Sequence, residues 1–107
     1  MNCIFCKIIN KEIPSTFFYE DEYVVAFNDI HPIAPVHILI IPKKHIEDFI
    51  EVKESEIFMA ISNAVKKLVS ENEKLREGYK IEINGLGAKL VNHLHYHLIG
   101  PVSVPKV

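Results

Sequence analysis

Polar and apolar positions alternate with period two through His93-Leu94-His95-Tyr96-His97-Leu98. Period two is the pattern of a half-buried strand, on which residues i, i+2 and i+4 share a face. The three imidazoles therefore fall on one surface, and Leu94, Tyr96 and Leu98 face the core. Residues 36–41 are the next strongest strand, ended by Pro42. Residues 17–20 and 24–28 read as two further strands, joined by a turn at Glu20-Asp21-Glu22. Residues 79–84 alternate as another. The period changes once. From residue 54 to 74, Ile57, Phe58, Ile61, Val65, Leu68 and Val69 recur at helical spacing, and this predicts one long helix with Gly78 as its stop. Residues 6–12 predict a short helix, broken at Ile13-Pro14-Ser15, and residues 43–50 admit a helical turn. Strands outnumber helices and the connections are short, so an antiparallel sheet with helices on one face is expected.

Length and charge narrow the picture. The 107 residues make one domain, since domains run roughly 100–200 residues. Twelve basic and fourteen acidic residues give a net charge of −2, with no Lys/Arg block, so binding to polymeric nucleic acid is not indicated. No apolar run approaches the roughly 18 residues of a membrane span. The N-terminus has no signal-peptide architecture. Cys3 and Cys6, in C-x-x-C spacing without such a signal, point to a reducing compartment and to metal or thiol chemistry rather than a disulfide.

Half of the six histidines lie in the 93–97 run. Imidazole can act as nucleophile, proton carrier or metal ligand near neutral pH. One reading is phosphoryl or nucleotidyl transfer. One ring nitrogen attacks, the other keeps its proton against an acceptor such as a strand carbonyl, and flanking histidines donate to phosphate oxygens. His95, with a neighbour on each side, is the candidate nucleophile. A transition-metal site is the second reading, and a solvated strand face is the third. Cys3 and Cys6 could give zinc two thiolates, or stand as two free buried thiols. His45 and His93 are available to complete a tetrahedron, although no local spacing identifies them. Asp29, after the 24–28 strand, either accepts from vicinal hydroxyls, as acidic residues do with ribose, or caps its own turn. Ile4, Phe5, Ile8, Ile9 and Ile13 either wall a flat base pocket or are ordinary core.

Taken together these residues resemble the histidine triad (HIT) family, nearest its nucleotide-binding phosphoramidase branch. The resemblance runs through Cys3-Ile4-Phe5-Cys6-Lys7-Ile8-Ile9, Glu12-Ile13-Pro14, Tyr19-Glu20-Asp21-Glu22 and Ala26-Phe27-Asn28-Asp29-Ile30. It continues through Ala34-Pro35-Val36-His37, Pro42-Lys43-Lys44-His45 and His93-Leu94-His95-Tyr96-His97-Leu98-Ile99-Gly100. It implies an α+β domain over residues 1–107, with a five-stranded antiparallel sheet, one long helix and one or two short ones. It also implies a cytoplasmic homodimer with a purine nucleotide site. His95 would attack the α-phosphate to give a nucleotidyl-histidine that water releases. His97 and His37 would contact phosphate oxygens or the leaving group, and Asp29 the ribose. Ile4, Phe5, Ile8 and Ile13 would contact the base, and Asn84 would lie near the phosphate. The substrates implied are purine nucleoside phosphoramidates or acyl-adenylates. Structural zinc would be held by Cys3, Cys6, His45 and His93.

One segment departs. Where the family has a motif close to Gly-Gln-Ser-Val, this chain has Ala88-Lys89-Leu90-Val91, within a loop that looks short. A hydroxyl donor is replaced by Leu90, and Lys89 is expected to bring a cation to the phosphates instead. That cation also motivates a dinucleoside polyphosphate hydrolase as an alternative. The altered loop motivates a nucleotide-binding protein with little catalysis.

Overall fold

The computed structural model describes residues 3–104. Helix α1 (Ile4–Ile9) opens the chain, with Cys3 as its N-cap: the thiol accepts from the Cys6 amide. Strands β1 (Tyr19–Glu20), β2 (Val24–Asn28) and β3 (Val36–Pro42) follow. A single 3-10 turn at Phe49–Glu51 leads to α2 (Ser55–Glu71) and α3 (Glu73–Glu77). Strand β4 (Lys80–Ile83), a 3-10 turn at Leu86–Ala88 and β5 (Tyr96–Gly100) complete the fold. The sheet order is β1-β2-β3-β5-β4, with every neighbouring pair antiparallel. This is the five-stranded α+β architecture expected.

The sheet is buried on both faces, not one. Val24, Ala26, Ile38, Ile40, Tyr96 and Leu98 pack against α2. The alternate residues Val25, Phe27, Leu39 and Ile41 pack against Phe5 and Ile8 of α1 and against Cys3. A short helix suffices there because only a narrow apolar strip needs cover. Buried positions on both faces also explain why β2 and β3 read as near-continuous apolar runs.

Helix α1 covers Ile4–Ile9 rather than 6–12, and β1 only Tyr19–Glu20 of 17–20. Two further boundaries differ, each for a local reason. The long helix ends at Glu71, because the Asn72 side chain accepts from the Lys74 and Leu75 amides and starts α3 as its N-cap. On α2, Ala60 and Ala64 complete the buried stripe with Ile57, Ile61, Val65 and Leu68, while Phe58 turns out to solvent. The histidine run is only partly strand. The β3–β5 register, Ile40 with Tyr96, would next set Pro42 opposite Leu94. Pro42 has no amide hydrogen to continue the ladder, and the Leu94 N–H donates instead to the Ile46 carbonyl at 2.7 Å. Residues 93–95 thus lie outside the ladder, His93 in a bend, and their side chains still alternate. Leu94 enters the α2 core, and Phe5 on the other face packs against the rings of His93 and His95.

Candidate active site and metal centre

The face of the sheet that carries α1 holds two adjoining constellations. The first is built from β2, β3 and β5. Their register sets Phe27 beside Leu39, and Leu39 beside His97. Above this row lies a cavity of about 200 Å³, lined by Ile4, Phe5 and Ile8 and by Asp29, His95 and His97.

Hydrogen bonds assign the protons. His95 Nδ1 lies 2.7 Å from the His93 carbonyl oxygen, which can only accept. Nδ1 therefore carries the hydrogen, and Nε2 keeps a free lone pair. The Ile33 amide donates to His37 Nδ1 at 3.2 Å, so the His37 proton sits on Nε2. That N–H faces His97 Nδ1 at 2.8 Å and Asp29 Oδ2 at 3.3 Å. His97 then accepts at Nδ1 and holds its own proton on Nε2, ready to donate. Burial, reinforced by the neighbouring imidazoles, pushes His97 below the usual histidine value, so it is neutral at pH 7. Asp29 caps its own turn, with Oδ1 accepting from the His31 amide at 2.8 Å, and its side chain also lies at the cavity lining. Asp29, His37 and His97 place three ligand atoms close together. With His37 Nδ1 already receiving a hydrogen bond, its Nε2 carries the proton and shares it between His97 Nδ1 and Asp29 Oδ2.

The second constellation gathers Cys3, Cys6, His45 and His93. His45 Nδ1 and His93 Nδ1 are 3.2 Å apart, Cys6 Sγ and His45 Nδ1 3.3 Å, and Cys3 Sγ and His93 Nδ1 3.4 Å. A tetrahedral zinc, with bonds of about 2.3 Å to sulfur and about 2.0 Å to nitrogen, sets its ligand atoms about 3.3–3.8 Å apart. The donor set fits such an ion. Second contacts orient the rings as metal ligands require. His93 Nε2 donates to the Pro42 carbonyl at 2.8 Å, which leaves Nδ1 unprotonated, and His45 Nε2 faces Glu47 at 3.8 Å. Burial pushes His93 down to about 4, so its ring is neutral at pH 7, and pushes the Cys6 thiol up to about 11, with Cys3 adding to the rise. The Cys6 thiol so placed needs a bound cation to ionise.

Three expected site residues lie elsewhere. Lys89 does not bring a cation to the cavity. Its ammonium donates to the Glu47 carbonyl and pairs with Asp48 at 3.1 Å, both side chains being buried. An ion pair between residues so far apart in sequence leaves no local signal. Asn84 follows the exposed strand β4 and does not line the cavity. Ile13 packs at the edge of the α1 core and does not line it either. Phe27, Leu39, Leu90 and Val91 do line it. Phe27 and Leu39 could have been found by continuing the His97 row across the sheet; Leu90 and Val91 could not.

The antiparallel α+β sheet thus carries a histidine cluster at a cavity, with a Cys2His2 cluster of metal-ligand type beside it. The HIT domain family profile matches residues 10–103, and the chain belongs to the HIT family. A HIT family hydrolase from Clostridium thermocellum superposes with a TM-score of 0.89 at 49% identity, covering 99% of this chain and 96% of that one. A 14 kDa zinc-binding protein of Zea mays is 46% identical over 108 residues, spanning 91% of this chain and 80% of its own length. An adenylylsulfatase of Arabidopsis thaliana is 45% identical over 108 residues, spanning 91% of this chain and 69% of its own.

Proposed function

We propose that the protein is a nucleotide hydrolase that cleaves purine nucleoside phosphoramidates or adenylate mixed anhydrides through a nucleotidyl-histidine. The observation that carries this reading is the His95 tautomer: Nδ1–H held by the His93 carbonyl, Nε2 free, and the ring at the wall of the cavity. His95 Nε2 attacks the α-phosphorus, and the bond from phosphorus to the leaving nitrogen or oxygen breaks with its electron pair on the leaving atom. The positive charge arriving on the imidazole is stabilised through Nδ1–H by the His93 carbonyl. Water then attacks phosphorus and the P–N bond to His95 breaks, restoring the ring. His97 Nε2–H donates to a phosphate oxygen or the leaving atom, and His37 holds His97 in that tautomer. Asp29 accepts from the ribose hydroxyls, and Ile4, Phe5 and Ile8 contact the base. The Arabidopsis relative's name supports the mixed-anhydride part of the range, since adenylyl sulfate is a phosphoric–sulfuric anhydride. Lys89 is engaged by Asp48, which removes the feature that favoured dinucleoside polyphosphates.

The decisive experiment is turnover of a fluorogenic adenosine phosphoramidate and of adenylyl sulfate. His95→Ala is expected to lower kcat by at least about 10³-fold, and equal rates in the two proteins would end the proposal. Tight nucleotide binding without wild-type turnover would favour the binding-protein reading.

Zinc belongs to the same proposal. The fit of Cys3, Cys6, His45 and His93 to a tetrahedron supports it, together with the zinc-binding relative. The ion would tie α1 to residue 93, whose carbonyl holds the nucleophile. Protein purified without chelator should carry about one zinc per chain. Cys3→Ser/Cys6→Ser should lose both the zinc and several degrees of Tm. A zinc-free wild-type protein with two freely reactive thiols would contradict the assignment. Two thiolate ligands suit a reducing cytoplasm, and among the described residues no helix is long and apolar enough to cross a membrane. A homodimer is also proposed, from the open edge of β4.

A further inference from the structure

We propose that the buried Asp48–Lys89 pair is the positioning element for the wall of the nucleotide cavity, and sets nucleotide affinity without touching the nucleotide. The inference rests on the nucleotide reading above and extends it to two residues that reading does not use.

Asp48 is 4% exposed and acts as a hub. Its Oδ1 accepts from the Leu86 amide at 2.5 Å and meets Lys89 Nζ at 3.1 Å. Its Oδ2 accepts from the Ile50 amide at 3.2 Å. Lys89 adds a hydrogen bond to the Glu47 carbonyl. The two side chains thereby tie residues 86–89 to the segment that follows His45. A buried charge pair whose atoms also bind backbone groups fixes geometry more than it stabilises.

The loop it holds has little else to order it. Residues 84–88 are exposed, their regular structure is one 3-10 turn, and Leu86 stands at φ 49°, a left-handed conformation that a leucine rarely adopts. A residue strained in this way persists only where its surroundings hold it. Here the holding group is the Asp48 carboxylate on the Leu86 amide. Directly after Lys89 come Leu90 and Val91, which line the cavity together with Asp29 and His95. Leu90 is fully exposed, so no packing of its own keeps it at the cavity. Its placement comes through the backbone, from Lys89 on one side and from Val91, packed on the α1-side core, on the other. Through the backbone the pair thus helps place one wall of the substrate site.

The test is Lys89→Met, with Lys89→Arg as the conservative control and Asp48→Asn as the partner. Hydrogen exchange at residues 86–91 of the free proteins is measured alongside the Kd for adenosine monophosphate and the KM and kcat for an adenosine phosphoramidate. Lys89→Met is expected to speed exchange in that segment and to raise Kd and KM about tenfold, with kcat within about twofold. Asp48→Asn should do the same, and Lys89→Arg should restore most of the affinity. Unchanged Kd and KM in Lys89→Met overturn the proposal, whether or not exchange accelerates, because the pair is then only structural. A fall in kcat at constant KM also overturns it. If the wild-type protein itself neither binds nor hydrolyses the nucleotide, the nucleotide reading fails and takes this inference with it.

Discussion

His93 shows how one residue serves both constellations. Its Nδ1 faces the cysteines and His45, its Nε2–H is held by Pro42, and its carbonyl receives His95 Nδ1–H. Anchoring the ring therefore anchors the tautomer of its neighbour. Asp48 does comparable work for the loop, and its titration is open to measurement. The Leu86 amide, then the Ile50 amide and Lys89, hold its carboxyl below the usual aspartate value of 3.8. A folded-state pKa below the unfolded one means the unfolded chain takes up the proton first as pH falls. The stability Asp48 contributes is therefore fully present above the ordinary value and is lost as pH drops through the lowered one. Chemical denaturation of wild type and Asp48→Asn from pH 7 down to about pH 3 should show a constant gap above about pH 5 that narrows in acid. A gap that widens in acid would contradict the assigned hydrogen bonds.

Elements were legible where one short-range pattern dominated. The apolar runs of β2 and β3 and the helical stripe of α2 needed no knowledge of tertiary structure, because burial of a whole face imposes its period on the sequence. The break at Asn72 and the shortened ladder before Tyr96 were missed. Each depends on one polar side chain or one absent amide hydrogen overriding a favourable apolar pattern. In the site, the alternation at 93–97 was enough to put three imidazoles on one face. The convergence of Cys3, Cys6, His45 and His93 was suggested by family resemblance, since no spacing relates residues that far apart. Lys89 was misplaced for the same reason: its partner Asp48 lies on another element. The short helix created by Asn72 has a packing role that can be tested. α3 inserts Leu75, fully buried, into the α2 core, and Leu75 also lies against Gly100 where β5 ends. Leu75→Ala should cost about 2–5 kcal/mol of unfolding free energy by urea denaturation. A loss under about 1 kcal/mol would mean that α3 is not part of the cooperative core.

Among the described residues, the sheet leaves one substantial edge open. At one side of the sheet β1 is only two residues long, whereas β4 on the other pairs with β5 alone and exposes Ile81 and Ile83. Exposed apolar surface continues from there. Ile83 is registered with Tyr96, whose ring meets Phe49, which in turn packs on the exposed Phe58. An open, partly apolar edge strand is a template for pairing, and a second copy of the same edge is the simplest occupant. Two-fold antiparallel pairing demands that residues of like face meet, which leaves few centres. Centring on Glu82 sets the two Glu82 carboxylates opposite one another, and centring on Lys80 does the same to the two ammonium groups. Centring on Ile81 sets Ile81 on Ile81, Tyr79 on Ile83, and Lys80 on the partner's Glu82 in both directions. Within the chain these two already attract, at 2.9 Å, so the dimer would extend an existing pair into a row of four charges. Lys80→Glu or Glu82→Lys alone should weaken the proposed dimer by about tenfold or more, since each puts like charges opposite at two places. The double variant Lys80→Glu/Glu82→Lys should restore it, as read by sedimentation equilibrium. Singles that dimerise as well as wild type would refute this register, and a wild-type monomer would refute the dimer itself. Because Glu82 is registered with His97, that pairing would also brace the strand beside the third histidine of the run.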